Sequence, residues 1–168
     1  MLKTIENTRI SVIIIALKYV EKKGCFMKEI CEIGFTSLGD RVIMFKINIP
    51  PSVNEYYTSV KVNGKLRRIV SYKGKKYREY IYNLVAHNLK HEDVFTGKHD
   101  RIEVLIHMYP LQDNRDLDNI DKCLLDSLQK AGIFYDDKCI VHLDAWKHKP
   151  DKNNGFITVE VREERDIY

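Results

Sequence analysis

Apolar and polar residues alternate from Val42 to Ile49, the mark of a strand with one buried face. Pro50-Pro51 ends it, because proline cannot donate to a ladder. The period then lengthens. From Gly74 to Lys90, Tyr77, Ile81, Leu84, Val85 and Leu89 recur at helical spacing. Ile102 to Met108 is a second strand, stopped by Pro110. Leu117 to Ala131 predicts a second helix with the stripe Ile120, Leu124, Leu128 and Ala131. Asp118 or Asn119 is its expected N-cap, and Gly132 its C-terminal stop. Cys139 to Lys147 and Phe156 to Arg162 predict two more strands. The run from Pro150 to Gly155 between them carries a hairpin signal. The expected order from residue 42 is therefore β-α-β-α-β-β, an α/β fold with a mixed sheet and a single domain over residues 42–168.

Residues 1–41 are patterned differently and predict an N-terminal extension. Thr8 to Glu21 suits an amphipathic helix, and Gly24, Gly34 and Gly39 punctuate a weak pattern after it. A packing or capping role is one reading. A start-site artefact is the other, since Met44 opens a strand of its own. The apolar run Ile10 to Leu17 falls far short of the roughly 20 residues that span a bilayer, and Glu6 argues against a secretion signal. Cys25, Cys31, Cys123 and Cys139 show no CxxC spacing and read as reduced thiols. No membrane association and a cytoplasmic location are expected.

At 168 residues the chain is long enough to bury a core, and its net charge of +4 is mild. The distribution of charge says more. Lys61, Lys65, Arg67, Arg68, Lys73, Lys75, Lys76 and Arg78 fall in one stretch that contains no acid. Such a segment suits phosphate contacts. We expect a DNA-facing loop from Lys61 to Lys75. Tyrosines crowd the same part of the chain, where they can pack on the sheet or stack on unpaired bases.

The acids gather elsewhere. Asp116 and Asp118 precede the second helix, Lys122 follows Asp118 by one turn, and Asp136-Asp137 come just after the helix ends. Asp118 and Lys122 share a helical face. Three carboxylates from a loop, a helix start and a strand start, Asp116, Asp118 and Asp137, suit one or two Mg²⁺ ions, which prefer hard oxygen ligands. The bland alternative is a helix cap and a surface ion pair between Asp118 and Lys122. A calcium loop lacks its glycine and late glutamate here, and no histidine or cysteine spacing suits zinc.

The run from Arg115 to Asp137, RDLDNIDKCLLDSLQKAGIFYDD, resembles the RusA-type Holliday junction resolvases. Ile49 to Tyr57, IPPSVNEYY, is similar to that family's opening PPSxNxxY segment. The resemblance covers residues 42–163. It implies a homodimeric α/β endonuclease that cuts four-way DNA junctions with Mg²⁺. It also implies an acidic triad at Asp116, Asp118 and Asp137 with an essential Lys122, and Asp136 as a neighbouring acid. Asp121 adds a negative charge inside the motif. Asn54, Tyr57, Lys61, Lys65, Arg67, Arg68, Lys73, Lys75 and Arg115 are the expected DNA contacts. The alternatives are a branched-DNA-binding module without catalysis and a phosphohydrolase of small esters. The extended basic stretch weighs against the second.

Overall fold

The computed structural model describes residues 29–36 and 39–164, so the expected helix over Thr8 to Glu21 lies outside the described residues. In chain order the elements are β1 (Ile30–Phe35), β2 (Arg41–Asn48), the single-turn α1 (Val53–Tyr56), β3 (Tyr57–Val62), β4 (Lys65–Val70), α2 (Tyr72–Asn88), β5 (Ile102–Tyr109), α3 (Asp118–Lys130), β6 (Ile140–Lys147) and β7 (Phe156–Glu163). The β-α-β-α-β-β backbone expected from residue 42 is present as β2, α2, β5, α3, β6 and β7.

Five strands form a mixed sheet in the order β1-β2-β7-β5-β6. Strict alternation sets its faces. Ile43, Phe45 and Ile47, then Ile102, Val104, Ile106 and Met108, then Ile157, Val159 and Val161 all point to one side and are buried. Helices α2 and α3 cover that side through Tyr77, Ile81, Val85, Ile120, Cys123, Leu124 and Leu128, in one continuous core. Ser71 caps α2 by accepting from the Gly74 N–H at 3.1 Å. Cys31, Cys123 and Cys139 are buried free thiols.

Four features differ from the sequence expectation. Residues 150–155 do not close a hairpin. Strand β6 pairs parallel with β5, and β7 inserts antiparallel between β2 and β5. The connection instead crosses the end of β5, where the His148 and Asp151 N–H groups donate to the Met108 and Pro110 carbonyls, each at 2.8 Å. Turn residues signal a reversal of the chain but not which strand becomes the neighbour. The basic segment is not a loop over Lys61 to Lys75 either. It is the antiparallel β3–β4 hairpin, closed at Asn63-Gly64, both at positive φ (51° and 79°), and it runs on into α2. Asn-Gly is the pair that such a turn demands.

The N-cap of α3 is Leu117, already helical at φ −65° and ψ −45°, and no side chain caps the end. Asp118 is thus the first helical residue, and Asp116 accepts from the Asn119 side chain at 3.2 Å rather than from backbone. Gly132, at φ +83°, does follow the helix end. Finally, Ile30–Phe35 form the edge strand β1, with Cys31 opposite Phe45 and Ile33 opposite Ile43.

Gly74 is where the N-terminal elements close on α2. A Cβ there would lie 2.6 Å from Tyr56 Cδ2 and 2.7 Å from both the Tyr56 carbonyl oxygen and Val70 Cγ1. Gly74→Ala therefore destabilises the fold by about 1–3 kcal/mol despite alanine's higher helix propensity. A urea midpoint equal to or above wild type would contradict this packing.

Candidate active site

The amphipathic period of α3 decides which side chains face out. Ile120, Cys123, Leu124 and Leu128 sink into the core, leaving Asp118, Lys122 and Asp126, four residues apart, on an outward stripe. The loop before the helix is fastened by Arg115, whose guanidinium donates to the Pro50 carbonyl at 3.0 Å. This bond ties the acidic motif to the Pro-Pro segment. An open cavity of about 580 Å³ lies at the helix start, lined by Arg115, Asp116, Leu117, Asp118, Asp121, Ala145 and Lys147. The Lys147 ammonium is held at its rim by the Asp113 carboxylate, 2.6 Å away.

Asp121 is the unusual member. Its Oδ1 is buried and has no hydrogen-bond partner. Burial first, and the charge of Asp118 second, push its carboxyl up to about 6. Asp121, with this donor-less oxygen, lines the same cavity as the exposed carboxylates of Asp116 and Asp118, and one or two such carboxylates suit a hard cation. Mg²⁺ in particular takes one or two protein carboxylates and completes its shell with water and phosphate oxygens.

Asp137 does not line this cavity. It opens a 3-10 turn, Asp137–Cys139, capped by Asp136, which accepts from the Lys138 N–H at 3.0 Å. The Lys122 ammonium lies 2.8 Å from Asp126 Oδ1 and 3.5 Å from Asp137 Oδ2. The hydrogen bond to Asp126, followed by the charges of Asp126 and Asp137, raises the lysine pKa against a smaller opposing effect of burial, so the side chain stays charged. Among the described residues no three acids, histidines or cysteines stand close enough to share one ion. The structure thus groups Asp116 and Asp118 with Asp121, and Asp137 with Lys122 and Asp126.

The expected DNA contacts divide by element. Lys61, Lys65, Arg67 and Arg68 are exposed on the hairpin. The register puts Arg68 and Lys61 on the Tyr57 face and Arg67 and Lys65 on the other. Arg68 stacks over the Tyr57 ring at 4.1 Å, and the Tyr57 hydroxyl donates to Asp126 at 3.2 Å. Lys73 pairs with Glu55 at 2.7 Å, while Asn54 and Lys75 are exposed.

Comparison with known proteins joins these observations. The family described as "Endodeoxyribonuclease RusA" matches residues 47–162, from the end of β2 into β7. The chain belongs to the RusA endodeoxyribonuclease family. A crossover junction endodeoxyribonuclease of Enterobacteria phage HK97 is 40% identical over 94 residues, which is 56% of this chain and 72% of the relative. Its counterpart in Escherichia coli strain K12 is 34% identical over 92 residues, 55% of this chain and 71% of the relative. One from Shigella sonnei is 33% identical over the same shares. The RusA match thus contains the Pro-Pro segment, the basic hairpin and the whole acidic motif.

Sequence reasoning passed over Asp126 and Lys147, and gave Asp121 no role. Asp126 was detectable from its i,i+4 spacing to Lys122, but the tyrosines that meet it come from a distant segment. Asp121 yields a pH test on this RusA-family chain without metal. Its folded pKa is raised, so the stability it contributes is present at low pH and lost as pH rises through about 6. In EDTA, Asp121→Asn should therefore raise the thermal midpoint near pH 8, with the gain shrinking as pH falls below 6. A gain that is constant with pH, or a loss at pH 8, would contradict this assignment.

Proposed function

We propose that this chain is a Mg²⁺-dependent, structure-selective endonuclease that resolves four-way DNA junctions by paired symmetric cuts in recombination and repair. One observation carries the reading. In a RusA-family chain, Asp116, Asp118 and the donor-less Asp121 line one cavity at the start of α3, and one turn on, Lys122 stands between two carboxylates. A small-ester hydrolase has no use for the exposed basic hairpin beside such a site. The endonuclease unit runs from residue 42, with β1 laid along its edge.

Asp116 and Asp118, which line the cavity, would hold the metal, and Asp137, the expected third carboxylate, stands instead beside Lys122. When bound, Mg²⁺ supplies polarisation of the scissile phosphate and a more acidic water. The protein's own part is to position and to balance charge. An ammonium has three protons to donate, and Asp126 and Asp137 engage two of those of Lys122, leaving one for a phosphate oxygen. There it stabilises the charge that builds on the phosphate during cleavage. Lys61, Lys65, Arg67 and Arg68 on the hairpin, with Asn54, Lys73 and Lys75 flanking it in the chain and Arg115 at the acidic cavity, meet the backbones of the junction arms.

A four-way junction offers two symmetry-related strands, which a two-fold homodimer matches with two equal sites. The sheet supports this reading. Its outer strand β6 exposes Val141, Leu143 and Trp146. The face away from the helices carries Trp146, His107, His148, Tyr109 and Phe156 in one continuous stack. Edge strands with exposed apolar residues are normally covered. No helix among the described residues is long and apolar enough to cross a membrane, and a DNA substrate suits a cytoplasmic protein.

Asp116→Asn and Asp118→Asn should each lower junction cleavage on the order of 100-fold while binding is kept or tightened, since each loses a ligand and a negative charge. Cleavage at the wild-type rate would remove that residue from the site. Binding with no cleavage by wild type under any divalent cation would instead favour the non-catalytic module. Arg67→Glu together with Arg68→Glu should weaken junction binding and flatten its salt dependence. Each lost phosphate contact is worth about 0.9 in the slope of log affinity against log salt on duplex arms. Unchanged affinity would take the hairpin out of the substrate path.

A further inference from the structure

Asp126 stands in an uncommon position for a surface-helix carboxylate. Its side chain is only 14% exposed, and its two oxygens have different partners. Oδ2 receives the Tyr57 hydroxyl at 3.2 Å, the Tyr56 hydroxyl at 3.3 Å and the Arg78 guanidinium at 3.4 Å. Oδ1 receives Lys122 at 2.8 Å. One oxygen is thus fastened to α1, β3 and α2, and the other is offered to the lysine. Burial first, then the charge of Asp126, pushes both tyrosine hydroxyls above their ordinary range, so both remain protonated donors. Arg78 also donates to the Tyr56 hydroxyl at 2.5 Å, closing the network.

An isolated i,i+4 ion pair on a helix does not hold a lysine in one place. Such a pair is weak in water, and half of the Lys122 side chain is exposed. A carboxylate that cannot itself move changes this. With Oδ2 fixed by three donors, Oδ1 becomes a stationary acceptor, and the ammonium it binds is held within reach of Asp137. We infer that Asp126, clamped by Tyr56, Tyr57 and Arg78, is the positioning residue that sets Lys122 for its work on the scissile phosphate. This inference rests on the endonuclease reading above. It gives the two adjacent tyrosines of the PPSVNEYY segment a task on α3, some 70 residues further along the chain.

A double-mutant cycle tests it. Asp126→Asn keeps the shape and an acceptor for the tyrosines but removes the charge that holds the lysine. On junction already bound, with Mg²⁺ saturating, Lys122→Ala should slow single-turnover cleavage on the order of 100-fold. Asp126→Asn should slow it at least about tenfold, with junction affinity within about twofold of wild type. Asp126→Asn should cost nothing further in the Lys122→Ala background, because its effect acts through the lysine. Tyr57→Phe, which leaves the ion pair in place, should give a smaller loss that also vanishes in that background. The protein without DNA gives a second readout. In ¹⁵N-lysine-labelled protein the Lys122 ammonium resonance, protected by its two carboxylates, should be visible in wild type and lost in Asp126→Asn. Wild-type cleavage by Asp126→Asn, losses that multiply in the double variant, or an unchanged ammonium resonance would each overturn the inference. A wild-type chain that cut no branched DNA would sink the endonuclease reading, and the ammonium resonance would then decide the clamp by itself.

Discussion

Seating the apolar stripe of α3 on the sheet is the constraint from which the rest of the site follows. Ile120, Leu124 and Leu128 are fully buried, each worth roughly 1.5–3 kcal/mol by removal from water. Lys122, on the other stripe of the same helix, is half-exposed, so its ion pairs count for far less than that burial. Packing, not charge, therefore fixes the rotation of the helix. Once it is fixed, the 3.6-residue period leaves no choice about where Asp118, Lys122 and Asp126 project. The strand order reinforces this. With α3 linking β5 to the parallel β6, its first turn opens beside Ala145 and Lys147 of β6, which form the far wall of the cavity.

The N-terminal half reaches the same place by a different route. Pro50 accepts from Arg115, Tyr56 and Tyr57 meet Asp126, and Arg68 rides on Tyr57. The basic hairpin is thereby coupled to the acidic helix through side chains rather than through shared strands. Gly74 allows that coupling, since any side chain there would displace Tyr56. The exposed basic hairpin and the acidic face of α3 are thus held in register by a few polar contacts around Asp126.

Periodicity made the helices and central strands legible in the sequence. Val42 to Ile49 and Phe156 to Arg162 alternate cleanly, and Ile120, Leu124 and Leu128 mark α3 without ambiguity. The motif residues Asp116, Asp118 and Lys122 were legible because they are local to one helix start. What stayed hidden depends on long-range pairing. That β7 slips between β2 and β5 cannot be read from the turn residues before it. Gly34 interrupts the alternation of β1, which hides the strand. Asn63-Gly64 is a hairpin signal, but the like-charged, weakly alternating residues around it read equally well as a solvated loop. Asp126 could be seen beside Lys122, whereas its tyrosine partners, some 70 residues earlier, could not.

The most direct measurement of the central claim places purified protein with synthetic four-way junction, fork and linear duplex, each labelled on one strand at a time, with and without Mg²⁺. The account predicts Mg²⁺-dependent cuts in the four-way junction, at symmetry-related positions on two opposing strands, yielding nicked duplexes, with linear duplex left intact. Cleavage of linear duplex as fast as of junction, or cuts that appear equally in EDTA, would contradict it.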